Sequence, residues 1–364
     1  MSAYDWSRVF HAYGPATDTG ELLRGPLADA RDHLWSDVLH HGRIWPATPQ
    51  ALRVVAGRLP EAPLFGLEFV RAVASAANFG TEAEKWRARV AAAPTREWTE
   101  EYLARDEDGR VGLWDDPTGN LVLVGAALEC WDGLPELLEP VAEYLDDPDG
   151  RVRVQAWATL TRLVNHPEAA ARTRDLLPRL TRLAAAAESV RERASLVMDL
   201  GQLGGDLAPF LADPSPLVRC AAAMSPPLAE DPAAHEELLR TAAAPTEFDA
   251  LEGLPRFEGE PPRWTLIAVL SRRPVDPSRL YEPALASLPH AFRTAPCPDL
   301  GPYLEVLFGD GWPQEPVPEQ RGLARALASR DELWAPTNGN RKITLRGLNL
   351  PDDREAWRAV GGTA

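Results

Sequence analysis

The chain has 364 residues, 45% apolar and 25% charged, enough apolar material for a core built as one extended array or as two ordinary domains. Its net charge of -16 argues against general binding to phosphate backbones and suits solubility or a basic partner. Its 3 cysteines, Cys130, Cys220 and Cys297, lie far apart without a CxxC pair, which argues against a disulfide framework and a thiolate zinc site.

The 35 prolines among frequent alanines point to many short helices separated by proline-marked turns. In chain order, the opening MSAYDWSRVF has no basic region followed by an apolar stretch, so no secretory leader is expected and the cytoplasm is the default compartment. Leu22, Leu23, Leu27, Leu34, Val38 and Leu39 form one helical stripe; Leu52, Val55 and Leu59 form a second, followed by Phe65, Leu67, Phe69, Val70 and Val73. A helix from about 28 to 41 would carry Asp29, His33, Asp37 and His41 at steps of four, on one face. His33, Asp37 and His41 are therefore a candidate divalent-metal set. Against this, the pattern is not HExxH, no glutamate stands as a base, and a solvated face opposite the leucines accounts for the same residues.

Trp6, Trp35, Trp45, Trp86 and Trp98, with Tyr4 and Tyr13, crowd the first hundred residues and belong either to a core or to a recognition surface. Trp45, in the turn HHGRIWPATP beside Pro46, is either a staple or an exposed anchor. His11, Tyr13, His41 and Trp45 are the binding candidates of this region.

Residues 105–120, RDEDGRVGLWDDPTGN, read as an acidic loop or short hairpin, and DEDG at 106–109 lacks the further ligands of a calcium loop. The longest apolar run, LVLVGAALECW at 121–131, is far short of a membrane span. After a helical stripe of Leu134, Leu137, Leu138, Val141 and Leu145 comes LDDPDGRVRVQAWATL at 145–160. AAESVRERASLV at 186–197 repeats its inner part, and LADPSPLVRCAAAMSP at 211–226 returns most of it. The shared elements are Val152, Arg153 and Ala156; Val190, Arg191 and Ala194; and Val218, Arg219 and Ala222, with Asp147 and Asp213 ahead of the first and third sets. Each aspartate is expected to cap the following helix, Val and Ala to share its buried face, and Arg to reach an acidic side chain on a neighbouring turn. Gly201, Gly204 and Gly205 read as a helix end, not a phosphate loop. The acidic, Pro- and Gly-rich segment 247–263 interrupts the pattern, TLIAVL at 265–270 resumes it, and Trp357 in a last helix is expected to cap the array.

The pattern D-P-x-x-x-V-R-x-x-A over 145–226 resembles the HEAT repeat, in the short variant also found in phycobilisome-lyase-like proteins. HAYGPATDTGELL at 11–23, followed by HHGRIWPATPQAL at 40–52, is similar to the N-terminal unit of a group of actinobacterial HEAT-repeat proteins, and this second likeness spans most of the chain. The resemblance implies an all-α, right-handed α-α superhelix of stacked helix pairs, with about eight or nine pairs at roughly 40 residues each. It also implies a binding scaffold, since that group includes candidate immunity proteins.

The expected layout is N-terminal helical repeats at 1–104, the acidic loop at 105–120, central HEAT-like repeats at 121–246, a second acidic loop at 247–263, and C-terminal repeats with a cap at 264–364. No G-x-S-x-G, S-x-x-K or Cys-His nucleophile signature is present. The expected function is non-catalytic, cofactor-free binding of another protein or peptide on the concave face, with the negative charge favouring a basic one. Two alternatives stand beside it: an enzyme or metal-binding protein using His33, Asp37 and His41, and a DNA-binding module like the HEAT-like DNA glycosylases. The second needs a basic groove, but the chain has only Lys85 and Lys342 as lysines, and its arginines are interleaved with acids. Neither nucleic acid nor a membrane is an expected partner.

Overall fold

The structure is a computed structural model that describes residues 4–106, 108–110, 113–257 and 259–362. The first three residues of MSAYDWSRVF, Glu107 of the 106–109 acidic run and Glu258 of the 247–263 segment lie outside the described residues. The protein is all-α: among the described residues the sheet amounts to one antiparallel pair, Phe10–His11 with Gly14–Pro15. No helix in this set is long and apolar enough to cross a membrane. Prolines open helices as well as ending them. Pro63, Pro117, Pro216, Pro232, Pro262 and Pro318 each stand first in a helix, where the missing N–H has no partner to lose.

The chain divides into two compact units, 1–180 and 181–364. In the first, Phe10, Trp45, Trp98, Tyr102, Leu113 and Val122 make one buried cluster. The Pro63–Ala76 helix packs along Gly150–Leu163. Across that contact the fully buried Thr159 donates its Oγ1–H to Leu67 O at 3.0 Å. The expected helix from 28 to 41 is not continuous. A short helix, Arg31–His33, runs into a π turn, Leu34–Val38, closed by Leu39 N–H to Leu34 O at 2.9 Å. The chain then turns at His40–Gly42, with His41 at φ +52°. The register of four therefore ends before His41.

In the second unit, Val190–Gln202 packs against Pro216–Ala223, and Pro318–Ala328 against Arg354–Gly361. Glycines set how near these helices come. A Cβ on Gly201 would stand 2.2 Å from Ser225 Oγ, and one on Gly361 would stand 2.8 Å from the backbone N of Arg325. Val190–Gln202 ends as its glycines suggest: Gly204 has φ +76°, and Gly205 N–H returns to Leu200 O at 2.9 Å. Trp357 is fully buried against Phe308, Trp312 and Trp334. The thiols of Cys130, Cys220 and Cys297 are all free and buried.

The recurring Val-Arg string turns out to encode one device for starting a helix. Arg153, Arg193, Arg219, His235 and Trp357 each stand four residues after an N-cap: Asp149, Ser189, Ser215, Asp231 and Asp353 respectively. Each side chain folds back over the first turn and donates to the carbonyl two residues before that cap. Arg153 reaches Asp147 O, Arg193 reaches Ala187 O at 2.6 Å, and Arg219 reaches Asp213 O at 2.8 Å. His235 Nε2 reaches Ala229 O at 2.6 Å, and Trp357 Nε1 reaches Pro351 O at 2.8 Å. This is the polar counterpart of the hydrophobic staple, since it fixes the angle at which the chain enters the helix.

The device corrects the repeat register twice. Asp147 and Asp213 are not the caps: each accepts a 2.8 Å bond from the N–H of the true cap, Asp149 or Ser215. In the middle copy the equivalent arginine is Arg193, not Arg191. Arg191 instead donates to Ala250 O and Glu252 O, and Val190 is only half-buried, whereas Val152 and Val218 are buried. The three alanines, Ala156, Ala194 and Ala222, are all fully buried. Two of the arginines also reach acids of the next helix or turn, Arg193 to Asp213 at 3.0 Å and Arg219 to Glu237 at 3.3 Å.

Candidate functional site

A group of histidines and carboxylates converges in the first unit, where the hairpin brings residues from two separate stretches together. His11 ends the first strand, and its partner strand leads directly into the helix Thr17–Leu22, whose first turn carries Asp18. His33 and Asp37 arrive from the short helix and the π turn. His11 Nε2 lies 3.0 Å from Asp18 Oδ1, and His33 Nδ1 lies 3.0 Å from Asp37 Oδ2. The two imidazoles meet edge to face at 5.2 Å. One ligand atom from each of His11, Asp18, His33 and Asp37 falls within 4.8 Å of the other three.

Hydrogen bonds define the rings. The N–H of Tyr13 points at His11 Nδ1 from 3.2 Å, so that nitrogen is bare and Nε2 carries the proton toward Asp18. Thr19 Oγ1, fully buried, stands 2.7 Å from His33 Nε2. Burial holds the His33 imidazole below its ordinary pKa, although Asp18 and Asp37 both pull it upward. For Asp18 burial acts upward, and the hydrogen bonds from His11 and from the Thr19 N–H outweigh it, leaving the carboxyl below the usual range. His11 and His33 are enclosed, Asp37 is half-buried, and Asp18 is open to water on one side. Such a set can relay a proton or hold a cation.

The binding and metal candidates from the sequence separate accordingly. His33 and Asp37 do meet, but His41 is exposed beyond the π turn, and Asp29 is exposed in the turn before Arg31; neither belongs to the group. His11 belongs to it and is buried. Asp18 had no local signal, because only the pairing of Phe10–His11 with Gly14–Pro15 brings it beside His11. Trp45 is 4% exposed and packs at 6.2 Å against Phe10, so it is a staple and not an exposed anchor. Tyr13 is 63% exposed; its ring lies 5.2 Å from that of His40, which lies 4.0 Å from that of His41. Beside them Ala12, His40, His41, Arg43, Trp45 and Asn120 line a cavity of about 780 Å³.

No protein family, curated protein or solved structure matches the chain.

Proposed function

We propose that this protein is a non-catalytic helical-repeat scaffold, a right-handed superhelix of the HEAT type, that binds a basic protein or peptide on its concave face. The observation that carries this reading is the repeated helix-start device. The same back-folded donor at Arg153, Arg193, Arg219, His235 and Trp357 supports a chain built from similar helical units. The net charge of -16 supports a basic partner over a nucleic acid.

The test begins with capture from the native lysate at low salt, followed by titration of the purified partner into the full chain. Electrostatic steering predicts at least about a tenfold loss of affinity between about 0.05 M and about 0.5 M salt. An affinity indifferent to salt, or retention of DNA in place of a protein, would overturn the proposal.

A further inference from the structure

We propose that His11, Asp18, His33 and Asp37 form a binding site for one divalent transition-metal ion, of which Zn2+ is the probe. Three observations meet here. First, the spacing is that of a coordination shell slightly relaxed: four ligand atoms lie within 4.8 Å of one another. Around an ion at about 2.0–2.2 Å from each ligand, tetrahedral neighbours stand about 3.4 Å apart, so each side chain moves inward by less than about 1 Å. Second, the donors are two imidazoles and two carboxylates, a set that suits zinc and its neighbours better than the all-oxygen shells of calcium or magnesium. The two carboxylate charges are balanced by one divalent cation.

Third, the group beside His33 permits the tautomer that ligation needs. A hydroxyl both donates and accepts, so Thr19 Oγ1, at 2.7 Å, accepts from His33 Nε2–H and leaves Nδ1 bare toward the ion. This is the outer-shell support that ligating histidines ordinarily have. His11 ligates through Nε2 once its proton moves to Nδ1, where it would face the Tyr13 N–H now 3.2 Å away, so the imidazole or that amide must turn aside. The π turn at Leu34–Val38 that delivers Asp37 is a further mark, since such turns gather at functional sites. The site is independent of the scaffold reading and needs no partner protein.

The experiment uses the full chain, stripped with a chelator and titrated with Zn2+ by calorimetry, with metal content and thermal midpoint measured on the same samples. Saturable binding of one ion per chain, raising the midpoint, is expected. Asp18→Asn and Asp37→Asn keep the side-chain shapes and should each weaken binding at least about tenfold. His33→Ala should abolish binding, while a His40→Ala, His41→Ala double variant should keep it. If His33→Ala does not fold, the two asparagine variants decide alone. Absence of saturable binding, or binding unchanged by Asp18→Asn and Asp37→Asn, overturns the proposal and leaves a hydrogen-bonded polar cluster. Loss of zinc only in the His40/His41 double variant overturns it equally and places the ion at those two histidines.

Discussion

Arg193 carries two tasks at once: it satisfies the carbonyl of Ala187 ahead of its own helix and neutralises Asp213 ahead of the next. Both Arg193 and Asp213 are largely enclosed, so removing the guanidinium leaves a buried carboxylate and a carbonyl without their partner. Arg193→Ala should therefore cost about 2–4 kcal/mol in urea unfolding, whereas Arg191→Ala, at an exposed position, should cost less than about 1 kcal/mol. Equal costs would refute the register assigned here. The burial of Ala156, Ala194 and Ala222 was legible from the repeating string, but the phase of the arginine was not. Val-Arg occurs in all three copies, and matching on it slides the middle one by two residues. The cap-to-donor spacing, Asp149 to Arg153, Ser189 to Arg193 and Ser215 to Arg219, was the better signal. It stayed hidden because the donor also takes the forms His235 and Trp357.

For whole elements, the distance between helices is set by what a glycine omits. Gly361 sits where a Cβ would meet the backbone of Arg325, which cannot swing aside as a long side chain would. Gly361→Ala should push Arg354–Gly361 off Pro318–Ala328 and lower stability by about 1–3 kcal/mol. Gly347→Ala, with nothing outside its own helix turn within 4 Å of its new Cβ, should be neutral or stabilise by up to about 1 kcal/mol. Thermal midpoints of the two variants give the comparison directly. Helical content was readable from apolar steps of three and four, and so was the end at Gly204. The break inside 28–41 was not, because Leu34, Val38 and Leu39 keep a helical rhythm across the π turn while the backbone gains a residue. That added residue separates His41 from His33, and the pairing of two-residue strands supplies His11 and Asp18 in its place. Contacts of that kind leave no periodic trace in a sequence.

Across the molecule, burial acts in the same direction on several histidines. His33, His166 and His290 all titrate below the ordinary 6.5, with desolvation the largest cause for each. As pH falls through 6.5 the unfolded chain takes up protons first, so their contribution to stability is intact above that value and is lost as pH approaches the lower folded values. Asp18, Asp116 and Asp149 are held below 3.8, so the stability they add persists well below neutrality and is lost only in stronger acid, for Asp149 at about 2. Urea midpoints should thus start to fall as pH drops through 6.5, where the unfolded histidines protonate, and fall further as pH drops through 3.8, where the unfolded carboxylates do. His166→Gln with His290→Gln should flatten the first decline, and an unchanged slope would refute the assignment. The buried cysteines have a different consequence. Burial pushes the Cys220 thiol up to about 12 and lifts those of Cys130 and Cys297, so none supplies appreciable thiolate while the fold is closed. Cys130 lies in the first unit, Cys220 and Cys297 in the second, and alkylation of each becomes a clock that times the opening of its own half of the chain.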